Sequence, residues 1–138
     1  MTWLYQGQEF TEDMVGDNFG FVYRIHSKVT NKSYIGKKFF TRSKTKQVKG
    51  KKKKSRVSSD WQVYFGSNTE LAEEVKYNGP EMYERTILRL CKSRGECSYY
   101  ESKAIFEADA LIRNDFYNNW VSTKIQRAHL KHLQQEIL

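Results

Sequence analysis

The sequence contains no long hydrophobic run, only one proline and only two cysteines among its 138 residues. Its apolar stretches are too short to cross a membrane, and the N-terminus shows no basic and apolar segment of the kind that directs secretion. We therefore expect a cytoplasmic protein without membrane contact. In that compartment Cys91 and Cys97 are interpreted as reduced thiols, although their spacing would allow them to close one small loop.

The composition is that of a small globular protein. Hydrophobic residues make up 38% and aromatic residues 14% of the chain, which allows a compact core and excludes a fully disordered or low-complexity protein. The length fits one domain with little left over. We predict an N-terminal arm over residues 1–19, a folded domain over residues 20–120 and a helical C-terminal tail over residues 121–138.

Acidic residues are missing between Lys37 and Arg56, where every charged residue is basic. The whole chain has 24 Lys and Arg against 16 Asp and Glu, and this one segment accounts for the excess. Concentrated positive charge on a nearly neutral body indicates a polyanionic partner, most often nucleic acid. A solvated surface loop and a nuclear-type address signal are the alternatives. Because residues 41–58 show no apolar periodicity, we predict an exposed loop there.

Apolar patterns and turn residues predict the regular elements. Strands over residues 20–25 and 33–39, joined by a short polar turn, form an antiparallel hairpin that places Tyr23 and Tyr34 on neighbouring strands. The remaining predicted elements are a short helix at residues 60–64, a helix at 69–78, a strand at 82–91 and a helix at 98–113.

One carboxylate stands out on the last of these predicted helices. On a helical wheel Glu101 falls within the apolar stripe of Ala104, Ile105 and Ala108. A carboxylate directed at a core costs several kcal/mol, roughly, unless a cation or another partner compensates for the lost hydration. A metal ligand or a catalytic carboxylate would explain this position. A buried salt bridge, or a helix end that frays into water, would explain it equally well.

The predicted hairpin resembles the paired signature of the GIY-YIG nuclease family. Phe21-Val22-Tyr23 stands where the family has Gly-Ile-Tyr, and after ten residues Tyr34-Ile35-Gly36 matches the second element unchanged. The later elements follow in a similar order, with Glu101 in the place of the family's essential glutamate and Asn118 in that of a later asparagine. The resemblance covers about residues 20–120.

This resemblance implies an α+β fold with a small three-stranded antiparallel sheet flanked by helices, and with the basic loop inserted after the second strand. The pattern as a whole, including Lys37-Lys38 after Gly36, is similar to that of small phage-encoded members related to homing endonucleases. The implied function is a metal-dependent, site-specific endonuclease on double-stranded DNA, acting in the host cytoplasm. A structure-specific nuclease on branched DNA and a non-catalytic nucleic-acid-binding module are the alternatives. Cutting both strands would need a homodimer or two successive nicks.

The resemblance also implies roles for single residues. Glu101 would hold one divalent cation, Mg²⁺ or Mn²⁺, with waters and phosphate oxygens completing its shell. Tyr23 would take a proton from the attacking water, which requires a cation near its phenol at neutral pH. Tyr34 would orient the water or the phosphate, Gly36 would leave room for the substrate, and Asn118 would tie the last segment to the site by side-chain hydrogen bonds.

The sequence departs from the family pattern at one position. Members carry an arginine on the helix after the second strand, whereas this chain has Asp60 or a neighbour there. We take Arg42 as its replacement, because a planar guanidinium suits a phosphate better than an ammonium group; Arg56, Lys44 and the Lys37-Lys38 pair are alternatives. The predicted contacts to the DNA backbone are Lys37, Lys38, Lys44, Lys46, Lys49, Lys51, Lys52, Lys53, Lys54 and Arg56.

A zinc site is not predicted. His129 and His132 would share a helix face, but no third ligand lies near them in the sequence. Cys91 and Cys97 lack a second cysteine pair and do not have the spacing of a zinc knuckle.

Overall fold

The structure, a computed structural model, describes residues 2–130. A five-stranded mixed sheet with strand order β2-β1-β7-β3-β4 forms its centre, and β5 and β6 form a separate two-stranded sheet. The strands are β1 Trp3–Tyr5, β2 Gln8–Phe10, β3 Gly20–Ser27, β4 Ser33–Phe39, β5 Thr41–Val48, β6 Lys51–Ser58 and β7 Tyr83–Cys91. The α-helices are α1 Thr69–Asn78 and α2 Arg94–Glu107.

The prediction of a small three-stranded sheet was wrong. β3, β4 and β7 do form antiparallel neighbours, but β1 pairs in parallel with β7 and β2 pairs with β1. Both additional strands are only three residues long, which is too short to show an alternation of apolar and polar residues. The pairing of β1 with β7, about eighty residues away, is a tertiary contact that local pattern cannot predict.

The prediction of a basic loop after the second strand was also wrong. Residues 41–58 form the antiparallel hairpin β5–β6, with Val48 opposite Lys51. Lys49 and Gly50 make the tight turn with φ values of 51° and 77°, and two successive positive φ values are typical of a type I′ turn. Nearly all side chains of the hairpin are exposed, which explains why it shows no alternation of apolar and polar residues.

The two α-helices differ in how well the sequence predicted them. α1 has the predicted bounds, because the Asn68 side chain accepts a hydrogen bond from the Leu71 amide at its start and Gly79 ends it. α2 begins and ends earlier than predicted. Ser93 caps its N-terminus by accepting from the Glu96 amide, and Asp109, with a φ of 52°, follows its end.

The predicted C-terminal helix is largely absent from the described residues. Residues 121–126 have no regular structure, and a single 3-10 turn follows at Arg127–Leu130. Residues 131–138, including His132, lie outside the described part of the chain. Among residues 2–130, no helix is both long and apolar enough to cross a membrane.

Two clusters of buried side chains cover the two faces of the sheet. On one face Phe21, Tyr23 and Ile25 of β3 pack with aromatic residues of neighbouring segments and with α1; these alternate residues share a face because side chains alternate along a strand. On the other face Val22 and Ile35 pack against α2. β4 is an edge strand, and the candidate site lies at that edge.

Candidate active site

A cavity of about 940 Å³ opens beside β4. Its walls come from β4, from the start of α1, from α2 and from residues 118–124. Tyr34, Lys37, Tyr64, Glu101 and Asn118 are among the residues that line it. Since β4 is an edge strand, no further strand of the described sheet covers this side of the site.

Glu101 lies on α2 with its side chain turned toward the cavity, and 16% of that side chain is exposed. Lys37 Nζ on β4 donates a hydrogen bond to Glu101 Oε1 over 3.1 Å. The carboxylate therefore has the compensating cation that its position in the apolar stripe required. This ion pair remains in contact with the cavity, so both groups are accessible to a ligand that enters there.

Tyr23 of β3 is completely buried beneath the site. Its hydroxyl has no hydrogen-bond partner within residues 2–130. A Cβ atom added at Gly36, the residue paired with Tyr23 across β3 and β4, would overlap with this hydroxyl. Gly36 is thus required for the close approach of the Tyr23 side chain.

The two tyrosines of the signature both have raised pKa values. Burial is the main cause of a pKa well above the ordinary range for Tyr23, and Tyr64, Tyr34 and Glu101 add to it. Burial also raises the pKa of Tyr34, against the effect of its hydrogen bond with Ser67, whose Oγ lies 2.9 Å from the Tyr34 hydroxyl. Both phenols therefore keep their protons at neutral pH and can donate hydrogen bonds.

Asn118 joins the chain that follows α2 to the edge strand. Its Oδ1 accepts from the Ile35 amide over 3.0 Å, and its Nδ2 donates to the Ile35 carbonyl over 2.8 Å. The backbone of the preceding residues continues this contact, since Tyr117 donates to the Ser33 carbonyl. Asn118 thus occupies the place on β4 that another strand would take.

Replacing Asn118 with alanine is expected to lower the free energy of unfolding by about 2–4 kcal/mol, because two buried backbone groups of Ile35 lose their partners. Asn119→Ala is the matched control, since Asn119 is exposed and adjacent. Chemical denaturation of both variants measures the difference. Equal stability of the two variants would contradict this role of Asn118.

The structure separates Arg42 from the cavity that contains Glu101. Arg42 lies on β5 and lines a second cavity of about 330 Å³, together with Lys38, Arg56 and Arg94. Lys37 lines both cavities. Asp60 is bound by Lys38, whose Nζ lies 2.6 Å from Asp60 Oδ1, and this hydrogen bond lowers the pKa of Asp60. The remaining predicted DNA contacts, from Lys44 to Lys54, lie on the exposed hairpin.

Residues 3–121 of the chain match the family model described as "Putative endonuclease segE, GIY-YIG domain". The chain belongs to the GIY-YIG endonuclease family. The comparison with curated proteins and the comparison with solved structures gave no match. Membership confirms the resemblance that the two hairpin motifs indicated, and it makes this domain a nuclease domain.

The GIY-YIG motifs meet at the cavity. β3 and β4 bring Tyr23 beneath Gly36 and Tyr34 to the cavity wall, while α2 supplies Glu101 from the opposite side. Tyr64 also belongs to this group, although the sequence did not single it out. Its ring lies 6.0 Å from that of Tyr23, and Lys38 Nζ lies 4.0 Å from its ring centroid. No motif marks Tyr64, because its position depends on the irregular chain after Trp61–Val63.

Members of the GIY-YIG family typically use divalent metal ions, and the donors at the cavity fit such an ion. Among residues 2–130, no group of three or more His, Cys, Asp or Glu side chains is arranged to hold a metal. Mg²⁺ does not need one, because it keeps several waters and binds through one or two carboxylates. Glu101 offers one carboxylate in a roomy cavity, and the ammonium group of Lys37 already lies against it as a cation.

Proposed function

We propose that this protein is a metal-dependent endonuclease that hydrolyses phosphodiester bonds of double-stranded DNA. The observation that carries the proposal is the Glu101 carboxylate, which meets Lys37 and Tyr34 at one cavity on an open sheet edge, with Tyr23 buried beneath it. Hydrolysis of a phosphodiester needs charge neutralisation, an oriented nucleophile and a stabilised leaving oxygen. Each of these requirements has a candidate group at this cavity.

Glu101 is the residue that would hold the divalent cation. When bound, Mg²⁺ or Mn²⁺ supplies positive charge for the phosphate oxygens and for the leaving oxygen. The carboxylate is available for this role because its present partner, Lys37, is a flexible side chain at the cavity surface.

Tyr23 and Tyr34 would orient the attacking water. The raised pKa of Tyr23 makes its phenol a hydrogen-bond donor at neutral pH. Deprotonation would need a cation against the phenol, and the two lysines that follow Gly36, Lys37 and Lys38, are paired with Glu101 and Asp60. The Tyr23 hydroxyl is completely buried and has no hydrogen-bond partner within residues 2–130, so it would donate to the attacking water only after the side chains above it move. Tyr34, fixed by Ser67, would do so from the cavity wall.

Lys37 is the cation best placed to neutralise the scissile phosphate. It lines the cavity with Glu101, whereas Arg42 lines the neighbouring cavity. The Lys37 ammonium would bind a phosphate oxygen within the same cavity, beside the carboxylate that would hold the metal ion. Arg42 would then bind the DNA backbone next to the scissile bond, together with Lys38, Arg56 and Arg94.

Incubation with supercoiled plasmid and Mg²⁺ tests the proposed activity. Because one active site cuts one strand, we expect nicked circles before linear molecules, and no cleavage when EDTA removes the metal. Branched and linear duplexes are offered in parallel to separate structure-specific cutting from cutting within a continuous duplex. Unchanged DNA with Mg²⁺ and with Mn²⁺ on every substrate would overturn the proposal.

A further inference from the structure

The β5–β6 hairpin, called the ribbon below, has two chemically different faces. In the half of the ribbon near its turn, one face carries two neutral side chains, Thr45 and Gln47, which have hydrogen-bond donors and acceptors. They lie opposite Lys54 and Lys52. We call this the mixed face. The other face, here the lysine face, carries four lysines, Lys44, Lys46, Lys51 and Lys53; Ser55 lies opposite Lys44 and Val48 opposite Lys51. Side chains alternate between faces along a strand, so this separation follows directly from the register.

The base of the ribbon is rigidly connected to the active site. Only Phe40, which is buried, separates β5 from β4, and its ring lies 5.1 Å from that of the buried Trp61 just beyond β6. Ser59 donates from its backbone to the Phe40 carbonyl. The Arg56 guanidinium donates to Thr41 Oγ1 over 2.8 Å and to the Thr41 carbonyl over 2.8 Å. Both ends of the ribbon are therefore fixed in the body that carries the cavity.

The ribbon has the size and charge of an element that enters DNA. Strands of eight residues extend about 27 Å, and paired strands lie about 4.8 Å apart. The major groove is about 12 Å wide and admits a two-stranded ribbon. No acidic residue lies in the ribbon. The Thr45 and Gln47 side chains make no hydrogen bond within the described part of the chain and are exposed, so their donors and acceptors remain available for a ligand.

We propose that the ribbon inserts into the major groove and that Thr45 and Gln47 on its mixed face read base edges there. Glutamine pairs well with adenine, and threonine contacts either a base edge or the thymine methyl group. Lysines of the lysine face neutralise phosphates and carry no sequence information. This inference rests on the proposed function, since it assigns the specificity of the same nuclease. The rigid base then sets a fixed distance between the bases that are read and the bond that is cut.

Two double variants on one strand provide a matched test. Thr45→Ala/Gln47→Ala changes the mixed face, and Lys44→Ala/Lys46→Ala changes the lysine face at neighbouring positions. The full-length protein in EDTA, which binds without cutting, first selects sequences from a pool of randomised duplexes. The affinity of each variant is then measured for the selected duplex, for a scrambled duplex and for the selected duplex built with 7-deazapurines, which lack the N7 acceptors of the major groove.

The inference predicts that one variant changes sequence specificity and that the other changes overall DNA affinity. Thr45→Ala/Gln47→Ala should reduce the ratio of selected to scrambled affinity by about tenfold or more and leave scrambled binding unchanged. Lys44→Ala/Lys46→Ala should lower the affinity for both duplexes by the same factor and reduce the slope of log affinity against log salt by about two. The 7-deazapurine duplex should bind like the scrambled one.

Three results would overturn the inference: no sequence enriched from the pool, equal effects of both variants on the affinity ratio, or full affinity for the 7-deazapurine duplex. Plasmid cleavage with Mg²⁺ is measured on the same preparations. If the protein cleaves the plasmid but shows none of the predicted binding effects, the proposal that the ribbon reads bases is wrong and the proposed nuclease function stands. If the protein binds the selected duplex selectively but does not cleave DNA, the proposed nuclease activity is wrong and the proposal that the ribbon reads bases stands.

Discussion

Replacing Glu101 with glutamine is expected to reduce the single-turnover rate of DNA cleavage by about a thousandfold or more, equivalent to about 4 kcal/mol of barrier. Glutamine keeps the size of the side chain but removes the negative charge that would hold the divalent cation. The ion pair with Lys37 is lost as well, so the freed ammonium group can bind phosphate. DNA affinity in EDTA should therefore remain equal or increase.

Glu107→Gln is the matched control for this variant. Glu107 lies on the same helix, is exposed, and forms an ion pair with Lys103 over 3.7 Å on the helix surface. Its replacement removes the same charge but leaves the cavity unchanged, so the cleavage rate should stay within about twofold of wild type, as expected for an exposed pair. Similar losses in both variants would contradict the assignment of Glu101.

Replacing Lys37 with alanine is expected to change cleavage and metal binding in opposite directions. The cleavage rate should fall by about a hundredfold, because the phosphate loses a charged hydrogen-bond donor. The affinity for Mn²⁺ should increase, because the cation that competes for Glu101 is removed. Single-turnover kinetics and titration with Mn²⁺ measure the two effects on the same protein.

The variant Arg42→Ala distinguishes neutralisation of the scissile phosphate, assigned to Lys37, from general binding of the DNA backbone. Arg42 lies on β5 and lines the neighbouring cavity, so its loss should weaken DNA affinity and reduce the salt dependence by about one phosphate contact. The cleavage rate at saturating enzyme should change little. If Arg42→Ala abolished cleavage at saturation while Lys37→Ala did not, Arg42 would be the catalytic cation and our assignment of Lys37 would be wrong.

The sequence predicted those parts of the site that depend on local pattern. The hairpin of β3 and β4 is continuous in the chain, so the placement of Tyr23 and Tyr34 on neighbouring strands followed from two strand patterns and a short polar turn. A helical wheel singled out Glu101 because a charged residue interrupts an apolar stripe, even though the predicted helix began and ended too late. Local capping by Ser93 set the true start, and that signal was present in Ser93 and Glu96.

The parts that could not be predicted depend on contacts between distant segments. β1 and β2 are three residues long and pair with each other, and β1 joins the sheet by pairing with β7. The ribbon consists of residues with solvated side chains, so only its Lys49-Gly50 turn could have indicated a hairpin. The pairing of Lys37 with Glu101 joins a strand to a helix 64 residues later. It also explains why a carboxylate is tolerated in that position.

Locating Mn²⁺ by anomalous diffraction in crystals of the protein tests the central claim most directly. The ion is a close substitute for Mg²⁺ and can be identified by its anomalous signal. We predict one Mn²⁺ bound to the Glu101 carboxylate at the cavity beside β4, with the Lys37 ammonium displaced, and no ion at this position in Glu101→Gln. An ion bound elsewhere on a protein that cleaves DNA, or the same peak in Glu101→Gln, would contradict the account.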